Sequence, residues 1–188
     1  MSRNIMKLWL FILLLGTSTM AYEEPKYSVL KKWDKIEIRQ YESYLVAETL
    51  VHGNRETSGK TGFKLLASYI FGKNQDHKTI SMTAPVIQEE KDKSWSIQFM
   101  MPAKYSINSL PSPNSPEVLF RTIPNRKLAT ITYSGTWSET NYQENLAQLK
   151  TFLEKENIKT KGLPMWARYN SPFTPWFLRK NEVLIEVD

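Results

Sequence analysis

The chain has 188 residues, with 25 Lys and Arg against 19 Asp and Glu and a net charge of +6. The excess is modest and interleaved with acidic residues, so it gives no basic block for nucleic acid and allows only a weak attraction to anionic ligands or membrane surfaces. There is no cysteine, which excludes disulfides, thiolate catalysis and Cys-ligated metal centres and leaves the fold to be held by its core alone.

The N-terminus reads as a targeting segment. Arg3 and Lys7 precede the apolar run Leu8–Leu15, and small residues follow up to Ala21. This is the pattern of a secretory signal peptide over residues 1–21, and the run is short of the roughly 20 apolar residues of a membrane-spanning helix. Cleavage before Tyr22 would remove two basic residues and leave Tyr22–Asp188, one domain of 167 residues with a net charge of +4. The expected localisation is periplasmic or secreted.

Strands are expected at Tyr27–Trp33, Ile36–Tyr41 and Tyr44–Val51, with Asp34-Lys35 turning the first pair. Gly53, Gly59 and Gly62 mark a polar stretch. Phe63, Leu66, Ala67 and Ile70 then fall on one face of a helix, capped by Gly72. Ile80–Ile87 and Ser94–Met101 read as strands, Pro85 forcing the first to be an edge, to end or to bulge. Residues 102–116, with four prolines, form a stiff connection. Strands follow at Val118–Thr122 and Leu128–Tyr133, then a capping box at Thr136–Glu139. A helix carries Tyr142, Leu146, Leu149, Phe152 and Leu153 and ends at Asn157 or Gly162. The final strands are Met165–Tyr169 and Glu182–Val187.

The second half repeats the first: pseudo-repeats span about residues 27–101 and 117–188, each strand–strand–helix–strand–strand, after an extra N-terminal strand. Neither half can bury both its sheet and its helix alone. The expected fold is therefore α+β, the duplicated halves joining into a distorted antiparallel barrel-like sheet flanked by two helices, with a ligand groove between the halves.

Enzyme templates fail. G-x-S-x-G, P-loop, H-E-x-x-H and G-x-G-x-x-G are absent, and His52 and His77 stand 25 residues apart with no metal-ligand spacing. No catalytic or metal-binding residue is assigned, and the chain is expected not to be an enzyme. More informative are five tryptophans and nine tyrosines after residue 21, with Met82, Met100, Met101 and Met165 at strand ends. They suit either core packing or an adaptable apolar pocket for a large planar ligand.

Four segments resemble the SOUL haem-binding family: Ile36–Tyr41 (IEIRQY); Gly62-Phe63…Leu66–Ile70 with Gly72–Asn74; Met82–Val86 (MTAPV); and Tyr169–Pro172 running to Arg179–Val183 (RKNEV). They occur in the family's order across the chain from Tyr22. The resemblance implies the duplicated fold and a ligand that is haem or another porphyrin. Where some members carry an iron-ligating histidine this chain has Gln40, and glutamine is a poor haem ligand. Other members hold haem in an apolar pocket beside the first helix; the matching positions are Lys60, Phe63, Ala67 and Trp95, with Phe173 and Thr174 in the C-terminal loop. Thr174 stands where some members have a basic group, so Lys60, Lys64 or Arg168 would supply a propionate contact instead. The fallback iron ligands are His52 and the methionines.

The expected function is thus an exported haem or tetrapyrrole carrier, buffer or scavenger, without stable membrane insertion after cleavage and with no nucleic-acid partner. The alternative is an effector-binding-type domain, to which the same architecture is similar, binding another amphipathic small molecule or a protein partner. Glu48 is the strand carboxylate that would favour a cationic ligand in such a groove. A tetrapyrrole-modifying enzyme would need a positioned acid or base, and none stands out.

Overall fold

The computed structural model describes residues 22–188; the signal peptide and cleavage site expected over residues 1–21 lie outside them. The elements run β1 (Tyr27–Trp33), β2 (Ile36–Tyr41), β3 (Tyr44–His52), α1 (Arg55–Ile70), β4 (Val86–Lys91), β5 (Ser94–Met100), β6 (Leu119–Ile123), β7 (Arg126–Tyr133), α2 (Glu139–Lys155), β8 (Thr160–Arg168) and β9 (Asn181–Val187). All nine strands form one antiparallel sheet in the order β1-β2-β7-β9-β8-β4-β5-β3-β6. It curls into a half-barrel that stays open between β1 and β6.

The duplication is visible in that order. Read outward from the central pair β4–β8, one side is β4-β5-β3-β6 and the other β8-β9-β7-β2. The outer strand of each of these four-strand runs is exchanged: β2 comes from the first repeat yet pairs with β7, and β6 comes from the second yet pairs with β3. Each repeat thus completes the other's sheet, a physical reason for the halves to fold as one domain.

Side chains alternate between the two faces. On the helix-bearing face, α2 packs Tyr142, Leu146, Leu149 and Leu153 onto Ile36, Ile38, Ile131, Val183 and Ile185. In the first half α1 packs Leu66, Ala67, Tyr69 and Ile70 onto Ala47, Ile97 and Phe99. The opposite face carries Tyr41, Ile87, Leu128, Met165, Ala167, Tyr169 and Leu184. The ligand groove expected between the halves is closed on this face: Pro25 and Pro85 lie over these residues and leave only about 10 Å³.

Three expected elements shift. The helix predicted from Phe63 begins two turns earlier, at Arg55, where the Asn54 side chain caps it by accepting from the Thr57 amide at 2.9 Å. That part lacked an apolar stripe because glycines make the contact. A Cβ at Gly62 would stand 2.3 Å from Ile97 Cγ1, and one at Gly59 2.9 Å from Gln88 Oε1. The strand expected at Ile80–Ile87 starts only at Val86, past Pro85, which lacks the amide hydrogen a ladder needs. The last hairpin's first strand extends back to Thr160, with a register irregularity between Lys161 and Met165. The second helix is capped by Ser138, not Thr136.

Gly62→Ala should therefore lower stability by about 1–3 kcal/mol, overpacking against Ile97 outweighing alanine's better helix propensity. Gly59→Ala should cost less, because the ends of Gln88 and Arg168 can move aside. Urea midpoints of the two variants test the ranking.

Candidate functional site

The face away from the helices carries acidic residues that this chain satisfies itself. Glu182 is fully buried and accepts from Arg39 Nη1 and Nη2 (both 3.0 Å), the Tyr169 hydroxyl (2.6 Å) and Thr132 Oγ1 (3.1 Å). Burial works against the Arg39 charge, but the Glu182 carboxylate outweighs it and holds the guanidinium ionised. Glu48 accepts from Arg121 Nε (3.0 Å) and Nη2 (2.8 Å), Ser96 Oγ (2.6 Å) and, more weakly, Gln98 Nε2 (3.3 Å). Burial opposes its ionisation, yet the bonds from Arg121 and Ser96 prevail and hold its carboxyl below the usual range. Glu89 is half-buried, and burial raises its pKa despite the charges of Arg126 and Arg121. A cationic ligand on this face would have to displace arginines already in place.

A cavity of about 440 Å³ lies beside it, between the N-terminal segment and the chain after β5. Tyr44, Leu45, Met100, Met101 and Tyr105 give it an apolar floor, but Glu23, Glu24 and Glu42 line it against the single cation Lys26. That balance disfavours a ligand bearing carboxylates.

The helix side of the seam is the reverse. The first residue of α1, Arg55, meets the first residue of α2, Glu139, through a 2.6 Å bond from Nε to Oε2 and a close contact from Nη2. Around this pair guanidiniums and aromatic rings alternate. Arg179 lies 4.3 Å from the Trp137 centroid; Arg168 lies 5.6 Å from Trp137 and 4.8 Å from Trp166; Arg55 lies 3.9 Å from Trp166 and 5.0 Å from Tyr142. Such contacts stabilise by about 0.5–2 kcal/mol each, more when desolvated. Trp137 is fixed by its indole donating to Asn181 Oδ1 at 2.8 Å.

Arg168 is the unbalanced member of this stack. Its Nη2 donates to Gln88 Oε1 at 2.7 Å. No described carboxylate pairs with it, and its Nε and Arg55 Nη1 have no hydrogen-bond partner. Burial, with Arg55 next to it, pushes its pKa down to about 10, so it stays charged at neutral pH. Two helix N-termini add positive potential to the same place. The spot suits an anion, and it was legible in part: Trp166 and Arg168 are two apart on one strand, hence on one face. That Arg55, Trp137 and Arg179 join them was not, because those residues are far apart in sequence.

The expected site residues surround this stack unevenly. Lys60, Phe63 and Ala67 follow one stripe of α1. Lys60 is solvent-facing and paired with Glu56 at 2.6 Å; Phe63 packs on Phe99 with centroids 5.3 Å apart; Ala67 is buried. Trp95, on β5, packs against the same first-half core as Phe63. Phe173 and Thr174 lie at the tip of the β8–β9 hairpin, and contacts link them to α1: the Thr174 carbonyl accepts from Arg179 Nε, Arg179 stacks on Trp137, Trp137 on Arg168, and Arg168 abuts Gly59. Thr174 thus touches one end of the stack through Arg179, and Lys60 follows Gly59, which meets the other end at Arg168. Phe173 is 95% exposed, and Trp176, Phe177 and Leu178 beside it are more than half exposed.

Neither position 40, which is assigned no ligand role, nor the fallback iron ligands, His52 and the methionines, are brought to the stack. Gln40 shares the face of Ile36 and Ile38 on β2, separated from β5 by β7, β9, β8 and β4. His52 is exposed, its Nδ1 3.0 Å from Ser94 Oγ, and His77 sits in an exposed turn. Met100, Met101 and Met165 are buried. Among the described residues no cluster of His, Cys, Asp and Glu could hold a metal ion.

A family model described as SOUL heme-binding protein matches residues 22–186. The chain is 25% identical over 191 aligned positions to Heme-binding protein 2 of Mus musculus, covering 91% of this chain and 93% of that protein. It is 26% identical over 162 positions to Heme-binding protein 2 of Homo sapiens, covering 78% of each. Among solved structures, the EcmrR C-terminal domain superimposes with a TM-score of 0.65 at 11% identity, covering 86% of this chain and 98% of that one. A protein described as a hydrolase from Listeria innocua gives 0.58 at 10% identity, covering 85% and 94%. At these identities the structural likeness establishes the fold alone.

The Glu48 geometry makes a pH-dependent prediction. A carboxyl held below its unfolded pKa stabilises the fold above that value and loses the contribution as pH falls through the folded pKa. Glu48→Gln should cost about 1–2 kcal/mol near pH 7, a value tempered by the partial exposure of Arg121. The gap to wild type should narrow as pH drops below the model-peptide value of 4.5. Denaturant melts across that range read it; a gap constant with pH would remove Glu48 from the account.

Proposed function

The chain belongs to the SOUL heme-binding protein family, and on that premise we propose that it is an exported haem or tetrapyrrole carrier, buffer or scavenger that holds its ligand without turnover. The leader-like residues 1–21 support a periplasmic or secreted location.

The ligand would lie on the helix side, between α1 and the β8–β9 tip, in a mainly apolar site. The observation that carries this reading is Arg168: a half-buried arginine with no carboxylate of its own, set against the Trp137 and Trp166 rings. A porphyrin has broad apolar faces, whose burial is worth about 25 cal/mol per Å², and carboxylates on one edge. Phe63, Ala67 and Trp95 would contribute apolar contact, and Phe173 and Thr174 would bound the far side. Arg168 would pair with a propionate, with Lys60 at the rim covering apolar surface with its stem. Gln40, in the other half, would take no part in ligation. These residues would hold a porphyrin by its faces and edges.

Titration of the chain from Tyr22 with hemin, followed at the Soret band, tests this. Saturable binding is expected, weakened about tenfold or more by Arg168→Gln, the loss of one charge-assisted contact, and again by Phe63→Ala with Lys60→Ala. No saturable shift would sink the haem reading. Binding that none of the three substitutions changes would move the site elsewhere.

A further inference from the structure

The β8–β9 tip presents a run of exposed apolar side chains. Phe173, Trp176, Phe177 and Leu178 are 95%, 58%, 58% and 64% exposed, four large apolar side chains within six residues. Isolated exposed apolar residues are ordinary, but a contiguous group marks an interaction surface.

The tip is built rather than loose. Arg179 reaches back beneath it, its Nε donating to the Thr174 carbonyl and its Nη2 to the Pro172 carbonyl, both at 2.8 Å. The Thr174 amide donates to the Ser171 carbonyl at 3.0 Å, and the Leu178 amide to the Pro175 carbonyl at 2.9 Å, closing a 3₁₀ turn over Trp176–Leu178. Gly135 ties the Trp176 carbonyl to the α2 side at 3.0 Å. The backbone polar groups are thus engaged inward and the rings turned out, with Trp176 and Phe177 edge-on at 5.6 Å. From Asn170 to Asn181 there is no acidic residue, and Arg179 and Lys180 stand at the base, Lys180 in a part-exposed pair with Glu24 at 3.2 Å.

We propose that this tip docks on an anionic lipid bilayer surface. A protruding knob without a groove suits a deformable partner, and Trp and Phe beside basic residues suit the interface between headgroups and acyl chains. Arg179, which no described carboxylate pairs, would meet anionic headgroups as the rings enter, and Lys180 would exchange Glu24 for them. The inference does not rest on the haem reading: Phe173 serves both, but Trp176, Phe177 and Leu178 serve only this one.

The chain from Tyr22 contains every described strand, both helices and all three apolar clusters. It would be sedimented, without haem, with vesicles of phosphatidylcholine alone or containing about 30% phosphatidylglycerol, the anionic component on which the electrostatic attraction depends. Binding to the anionic vesicles is expected, falling several-fold as salt rises from about 50 to 500 mM because surface charge is screened. Trp176→Ser with Phe177→Ser should weaken it about tenfold or more, while Phe71→Ser, a 62% exposed apolar residue after α1, should not. Lipids carrying bromine in their acyl chains should quench wild-type fluorescence more than that of Trp176→Phe, a readout that survives if the double variant folds poorly. Absent binding, equal binding to neutral vesicles, equal loss with Phe71→Ser, or equal quenching in Trp176→Phe would each overturn the proposal.

Discussion

The structure depends on the pairing of β4 with β8 and the exchange of β2 and β6 between the repeats. Each repeat supplies an outer strand that pairs with the other, so the inner strands β7 and β3 have both edges hydrogen-bonded only when both halves are present. The central pairing brings α1 and α2 to the same face, where their first residues, Arg55 and Glu139, form an ion pair. It also fixes how close α1 must lie. Gly59 and Gly62 stand where any Cβ would strike β4 or β5 side chains, so the helix rests on the sheet by its backbone.

That geometry divides the charges between two faces. Away from the helices, Glu182 is held by Arg39 from two strands away, across β7, and Glu48 by Arg121 from the adjacent strand, and the central groove is filled by the Pro25 and Pro85 segments. Removing one partner of such a buried pair is expensive, whereas the intact pair has little charge to offer a ligand. On the helix side the arginines outnumber their acidic partners, and aromatic rings take up much of the work of solvating them. Arg168 is left with an amide for its main partner.

The candidate site was only partly legible. Periodicity found Phe63 and Ala67 on one helix stripe, and the family's motifs pointed to Lys60, Trp95, Phe173 and Thr174. The link between the two groups runs through Trp137, Arg168 and Arg179, which no local pattern connects. Likewise the first two turns of α1 were hidden, because glycine serves there as a contact residue and leaves no apolar stripe. Pro85 announced a break in its strand but not on which side the strand would resume.

By itself the sequence determined the element types, the duplication and the family, because alternation, helical spacing and short motifs are local properties of a chain. It also determined that a histidine is missing at position 40 and that no cysteine can serve as a substitute. Only the tertiary structure decided which outer strands are exchanged, that the central groove is closed, and that a positive stack lies between the helices. Those outcomes come from contacts between residues tens of positions apart, whose energies depend on burial and on the balance of charge at one point in space.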